Sequence, residues 1–155
     1  TNPGALERLA ILRRTRTVAV VGVSSKPRRA SNFVATYLLA STDYDIYFVN
    51  PHETEILGRP VYPTLAALPV VPDVVDVFRK PADLPDVLAD AIAVGAKTLW
   101  LQFGLFAPEI ARKAEAAGMT VVMDRCLKIE HARFHGGLHL AGFNTGVISS
   151  RRPAR

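Results

Sequence analysis

Val18-Ala19-Val20-Val21-Gly22-Val23-Ser24-Ser25-Lys26-Pro27-Arg28-Arg29-Ala30-Ser31 joins a continuous β-branched run to a polar, basic loop. A run that is apolar at every position, rather than at alternate ones, suits a strand buried on both faces, as in a parallel sheet. Beyond the loop, Ser31 is placed to cap a helix whose apolar positions Phe33, Val34, Tyr37 and Leu38 fall on one face. Strand, basic loop and helix form one unit.

Four further runs have the same character: Ile46-Tyr47-Phe48-Val49, Val74-Val75-Asp76-Val77-Phe78, Thr98-Leu99-Trp100-Leu101 and Thr120-Val121-Val122-Met123. Leu84, Val87, Leu88, Ala91 and Ile92 predict a helix between the third and fourth, stopped by Gly95. Pro108 to Ala117 predicts another between the fourth and fifth, closed by Gly118 and with a mostly alanine face. Ahead of the first strand, Ala5, Leu6, Leu9 and Leu12 predict a short amphipathic helix with arginines opposite. Pro60, Pro63 and Pro69 break the stretch from Pro51 to Pro72 into turns, with a short helix near Leu65–Leu68. The expected fold is α/β: a Rossmann-like, doubly wound, parallel five-stranded sheet of order 3-2-1-4-5 in a single domain. A short helix near Lys128–Arg133 ends the pattern; residues 1–135 form the domain, and 136–155 a Gly-rich basic tail.

At 155 residues, with 49% hydrophobic and 21% charged, the chain holds one domain and leaves no room for separate cofactor and substrate domains. Its single cysteine, Cys126, excludes an intramolecular disulfide and suits a reduced, cytoplasmic protein. Neither a membrane span nor a signal peptide is expected; the first sixteen residues mix leucines with four arginines and an acid. The net charge of +5 is unevenly spread: +6 over residues 1–31, −6 over 32–124 and +5 over 125–155. Basic ends around an acidic middle suggest an anionic partner near the ends, unless they form an ordinary solvated mosaic.

In an open parallel sheet the ligand sits outside the carboxyl ends of the strands, where the order reverses. The loop from Gly22 to Ser31 then opens onto a helix N-terminus, where free amides and the helix dipole favour an anion. Ser24, Ser25 and Ser31 add hydroxyls; Lys26, Arg28 and Arg29 add charge, and the Arg29 guanidinium can grip a phosphate through two N–H groups. A dinucleotide fingerprint would have three glycines and an acid after the second strand, whereas only Gly22 is present and Asn50-Pro51 follows that strand. Nor does a lysine follow a glycine as in a nucleoside-triphosphatase loop.

Val20-Val21-Gly22-Val23-Ser24 with Pro27, Arg29 and Ser31, then Val49-Asn50-Pro51, Ile56-Leu57-Gly58 with Pro60-Val61-Tyr62, and Asp76-Val77-Phe78-Arg79 form an ordered motif set. It continues through Trp100-Leu101-Gln102 with Gly104, and Val122-Met123-Asp124-Arg125-Cys126 with Glu130-His131. Over about residues 5–135 the set resembles the small stand-alone CoA-binding proteins, whose domain is similar to the N-terminal CoA-binding domain of the succinyl-CoA synthetase alpha subunit. The resemblance implies a ligand, coenzyme A or an acyl-CoA, held by the strand-end loops. Gly22, Val23, Ser24, Lys26, Arg29 and Ser31 would meet the phosphates; Asn50, Pro51, Phe78, Arg79, Gln102, Phe103 and Gly104 would line the remainder. Ala30 and Arg28 depart from the family pattern, which has a proline and an acidic or neutral residue there, so the loop is expected to be looser and more basic. Nothing beside His52 suggests the phosphohistidine relay of the synthetase.

Other constellations are weaker. His131, His135 and His139 are four apart, but Gly136-Gly137 interrupts the helix that would align them, and surface or hydrogen-bonded histidines are the simpler account. Cys126 suits packing, and Asp124-Arg125 an internal ion pair. No nucleophile and base, nor a pair of cleft carboxylates, can be placed, so a binding role without catalysis is expected. The competing readings are an NAD(P)-dependent oxidoreductase and a basic accessory protein for RNA or a partner, using Arg13, Arg14, Arg16 and the tail arginines. Against nucleic acid, the chain lacks the interleaved aromatics of a single-strand platform. A homo-oligomer stays open, through apolar tail residues such as Leu138, Leu140 and Phe143.

Overall fold

The computed structural model describes residues 2–135. Its elements follow in the order α1 (Ala5–Arg14), β1 (Thr17–Val21), α2 (Ala30–Ser41), β2 (Asp45–Val49), β3 (Glu55–Ile56), β4 (Arg59–Tyr62), β5 (Val74–Val77), α3 (Leu84–Val94), β6 (Thr98–Leu101), α4 (Pro108–Ala116), β7 (Thr120–Val122) and α5 (Leu127–His135). Single 3-10 turns stand at Leu65–Ala67 and Pro81–Asp83. Every continuous apolar run has become a strand, and alternate side chains supply two cores. Ala19, Val21, Val75, Val77, Leu99 and Leu101 pack under α3 and α4. Val18, Val20, Val74, Trp100 and Val122 pack under α1, α2 and α5.

The sheet has seven strands in the order β3-β4-β2-β1-β5-β6-β7. All neighbours are parallel except β3 and β4, which form an antiparallel hairpin. The expected order of 3-2-1-4-5 over five strands is corrected. The five predicted strands run 2-1-3-4-5, because Val74–Val77 pairs with β1, from Val18↔Val74 to Val21↔Val77, and not beyond β2. The place outside β2 belongs to β4, paired as Phe48↔Val61 and Val49↔Tyr62 in the proline-rich stretch that reads as turns. Leu57 and Gly58, with φ of 51° and 76°, make the tight turn from β3 into β4; positive φ at both central residues matches the right-handed twist of paired strands.

Gly95 (φ 82°) and Gly118 (φ 90°) stand just past the ends of α3 and α4, in the left-handed backbone region that a helix C-terminus favours. Four helical details, in α1, α2 and α3, differ from expectation. In α1 the buried side is Arg8, Ile11 and Leu12, and Leu6 is exposed. Arg8 turns inward because its guanidinium Nε donates to Glu130 Oε1 of α5 at 2.6 Å and its Nη1 donates to the Pro3 carbonyl. In α2 Phe33 is exposed, while Ser31, Asn32, Val34, Ala35 and Leu38 are buried. Ser31 is not the cap of that helix: Arg29 holds the extended N-cap backbone, and Ser31 Oγ instead accepts the Ser24 N–H at 2.9 Å. In α3, Ile92 is exposed.

Asn2 binds both backbone groups of Met123, donating to its carbonyl at 2.7 Å and accepting its N–H at 2.6 Å. The start of the chain is thereby tied to the end of β7. Among the described residues no helix is long and apolar enough to cross a membrane. The expectations for residues 136–155, including His139, lie outside the described residues.

Candidate functional site

β2 and β5 flank β1 on opposite sides, and the helices that follow β1 and β5 pack on opposite faces of the sheet. A crevice therefore opens at the carboxyl ends of these strands. It is a cleft of about 640 Å³. Eleven of the thirteen residues that the sequence points to line it, and they come from the loops after β1, β2, β5 and β6.

Gly22 sits at the centre of the floor. Its N–H donates to the Val49 carbonyl, the Phe78 N–H donates to the Val21 carbonyl, and its φ is +86°. A Cβ at this position would collide with the Phe78 carbonyl oxygen and lie 2.8 Å from Arg79 Cδ. Only glycine lets the first and third strand-end loops approach this closely. Ser24, Arg29, Ala30 and Ser31 make the adjoining wall. The first helical amides of α2 belong to Ala30 and Ser31, and no side chain caps them. Arg29 is exposed and takes part in none of the ion pairs among the described residues. Uncapped helical amides beside a cation suit an anionic group such as a phosphate.

The loop is braced by its own polar groups. Ser24 Oγ accepts the Lys26 N–H at 3.0 Å, Asn32 Nδ2 donates to the Ser24 carbonyl at 2.9 Å, and Glu53 Oε2 accepts the Ser25 N–H at 2.9 Å. Asn50 lines the cleft but its amide is engaged at both ends, donating to the Val23 carbonyl at 2.8 Å and accepting the His52 N–H at 2.8 Å. An acid there would lose the donor that holds Val23, a structural reason for the missing ribose-binding carboxylate. Pro51 and His52 continue this bank.

Across the cleft, Phe78 leans on the core beneath α2, and Arg79 Nη2 donates to Asp83 Oδ2 at 3.0 Å, which holds the guanidinium along the wall. At the β6 end, Gln102 is buried and its Oε1 accepts the Leu127 N–H at 3.1 Å, so this side chain fastens α5. Phe103, Gly104 and Leu105 complete the lining. Two of the thirteen lie elsewhere: Val23 is a core residue, and Lys26 projects from the exposed loop outside the cleft wall.

His52, Lys80 and Asp83 line the cleft although no binding role was assigned to them from sequence. They stand one to four positions beyond Pro51 and Arg79, so the strand-end rule reaches them if extended by that much. The expected ion pair of Asp124 with Arg125 is absent: Asp124 Oδ1 accepts the Gly104 N–H at 2.7 Å, and Arg125 Nη1 reaches the Asp124 carbonyl at 3.3 Å. Cys126 is partly buried against the core, as a packing role requires. His131 is buried, its Nδ1 is 2.8 Å from the Tyr37 hydroxyl, and its ring meets Tyr37 and Tyr44 edge-on. Among the described residues no His, Cys, Asp and Glu cluster could hold a metal ion.

Known proteins share this fold. The Bacillus subtilis (strain 168) protein YneT is 36% identical over 131 residues, spanning 84% of this chain and 96% of that protein. The solved structure of a hypothetical protein from Pyrococcus horikoshii OT3 superposes with a TM-score of 0.81 at 39% identity, over 85% of this chain and 92% of the other. A solved protein structure from Thermus thermophilus gives 0.80 at 35%, over 85% of this chain and 99% of that one. A dinucleotide-forming acetyl-coenzyme A synthetase from Ca. Korarchaeum cryptofilum shares the fold, with a TM-score of 0.67 at 23% identity, over 75% of this chain and 27% of that one. Residues 16–132, which carry the whole cleft, match the family described as CoA binding domain, and this chain belongs to it.

Proposed function

We propose that the chain binds coenzyme A or an acyl-CoA in the cleft between the loops after β1, β2, β5 and β6, as a binding module with no reaction of its own. The observation that carries the reading is the uncapped N-terminus of α2, set beside Gly22 and Arg29, which joins no ion pair among the described residues. Those groups suit the phosphates of the ligand. His52 and Lys80 add donors on either bank, as a ligand with a pyrophosphate and a further ribose phosphate requires. Asn50 and Gln102 act as positioning residues, since their side chains hold the loop and α5. Binding is favoured over catalysis because Asp83, the carboxylate in the lining, is bonded to Arg79. A lone, partly buried Cys126 supports a reducing, cytoplasmic setting.

Thermal denaturation of ligand-free protein with CoA, NAD or ATP tests this. CoA at one hundred times its Kd should stabilise the fold by about 2.7 kcal/mol and raise Tm by several degrees, with NAD and ATP well behind. An unmoved Tm at saturating CoA would overturn the reading, and a larger shift with NAD would favour a nicotinamide-dependent oxidoreductase.

A further inference from the structure

Phe103 and Phe106 stand on the loop from β6 to α4 with 78% and 67% of their surface exposed. The backbone that carries Phe103 is fixed at three points. Leu105 N–H donates to the Gln102 carbonyl at 2.8 Å, Gly104 N–H donates to Asp124 at 2.7 Å, and Asp124 N–H donates to the Leu105 carbonyl at 3.0 Å. A large ring held in water on such a turn has surface to offer a ligand. Phe103 also lines the cleft, while Arg29, His52 and Lys80 line it from the loops after β1, β2 and β5. The strand order puts the ends of β2 and β6 three strand spacings apart, about 14 Å at the usual separation. One cleft therefore runs from a cationic region to an apolar lip.

We infer that the ligand is an acyl-CoA thioester with an apolar acyl chain, and that Phe103 of the cleft lining, together with the exposed Phe106 three positions on in the same loop, is the surface on which the chain lies. This rests on the CoA reading above and narrows it. Free CoA ends in a thiol and would leave the aromatic lip in water. A chain of several methylenes covers it and gains affinity in proportion to the apolar area removed from solvent.

Calorimetric titration of ligand-free wild type and the Phe103→Ala/Phe106→Ala double variant with CoA, acetyl-CoA and octanoyl-CoA tests the inference. Wild type should bind octanoyl-CoA at least tenfold more tightly than CoA, with acetyl-CoA between. In the double variant the ratio should fall to within about twofold of unity, whatever its absolute affinity for CoA, and leucine at both positions should restore most of it. Equal affinity of wild type for CoA and octanoyl-CoA overturns the inference while leaving the CoA reading intact; failure of all three ligands to bind overturns both. An octanoyl preference that survives in the double variant also overturns it. So does an unchanged preference with a change of oligomeric state by light scattering, which would assign the two rings to contact between copies.

Discussion

Gly22 and Gly104 share a positive φ, +86° and +94°, in very different surroundings. An added Cβ at Gly104 meets nothing within 4 Å, whereas at Gly22 it meets the Phe78 carbonyl, which is backbone and cannot step aside. Gly104→Ala should therefore cost only the left-handed penalty, about 1 kcal/mol. Gly22→Ala adds a clash that pushes the loops after β1 and β5 apart, and should cost roughly 3 kcal/mol and weaken CoA as well. Urea unfolding of the two variants measures the difference, and equal losses would show that the floor of the cleft is softer than its geometry. That Gly22 lies at a strand end next to a basic loop can be read from Val18 to Ser31. That it is pressed against Phe78 cannot, because the two residues are 56 positions apart and meet only through the β1 and β5 pairing.

The same limit governs which elements were legible. β1, β2, β5, β6 and β7 are visible because burial on both faces demands unbroken apolar runs. β3 and β4 are two and four residues long, include Pro60, and turn through Leu57 and Gly58, so no periodicity announces them. The strand order followed that omission, since β4 takes the position outside β2. Helix faces misled for a related reason: leucines at helical spacing in α1 suggest a buried stripe, but Arg8 enters the interior to meet Glu130, and Leu6 is left outside. Both partners of that pair are nearly buried, and Arg133 touches the second Glu130 oxygen at 3.5 Å. Arg8→Ala should destabilise by about 3 kcal/mol, because it strands the Glu130 carboxylate away from water. Arg8→Met combined with Glu130→Leu should recover most of that loss. Urea unfolding of the single and double variants decides; a double variant as unstable as Arg8→Ala would mean that the pair, and not desolvation of a lone charge, holds α1 to α5.

One group acts on the stability of the chain as a whole. Asp76 lies in the middle of β5 between Val20 of β1 and Trp100 of β6, fully buried, and neither carboxyl oxygen has a hydrogen-bond partner among the described residues. Its face of the sheet packs under α2 and α5, in the same layer as the buried His131. Burial raises the Asp76 pKa well above the usual carboxylate range, because the charged form would lose its hydration with nothing to replace it. The folded state consequently holds this proton at pH values where the unfolded chain has released it. Below the unfolded pKa, near 3.9, both states are protonated and there is no penalty. As pH rises from there towards the raised folded value, stability is lost, at up to about 1.4 kcal/mol per pH unit, and above that value the loss is constant. Asp76→Asn removes the titration while keeping the shape. Its unfolding free energy minus that of wild type should increase steadily with pH from about 4 upwards, with the other carboxylates cancelling in the difference. Parallel stability curves for the two proteins would show that Asp76 titrates alike in both states, and that β5 admits water where its neighbours are dry.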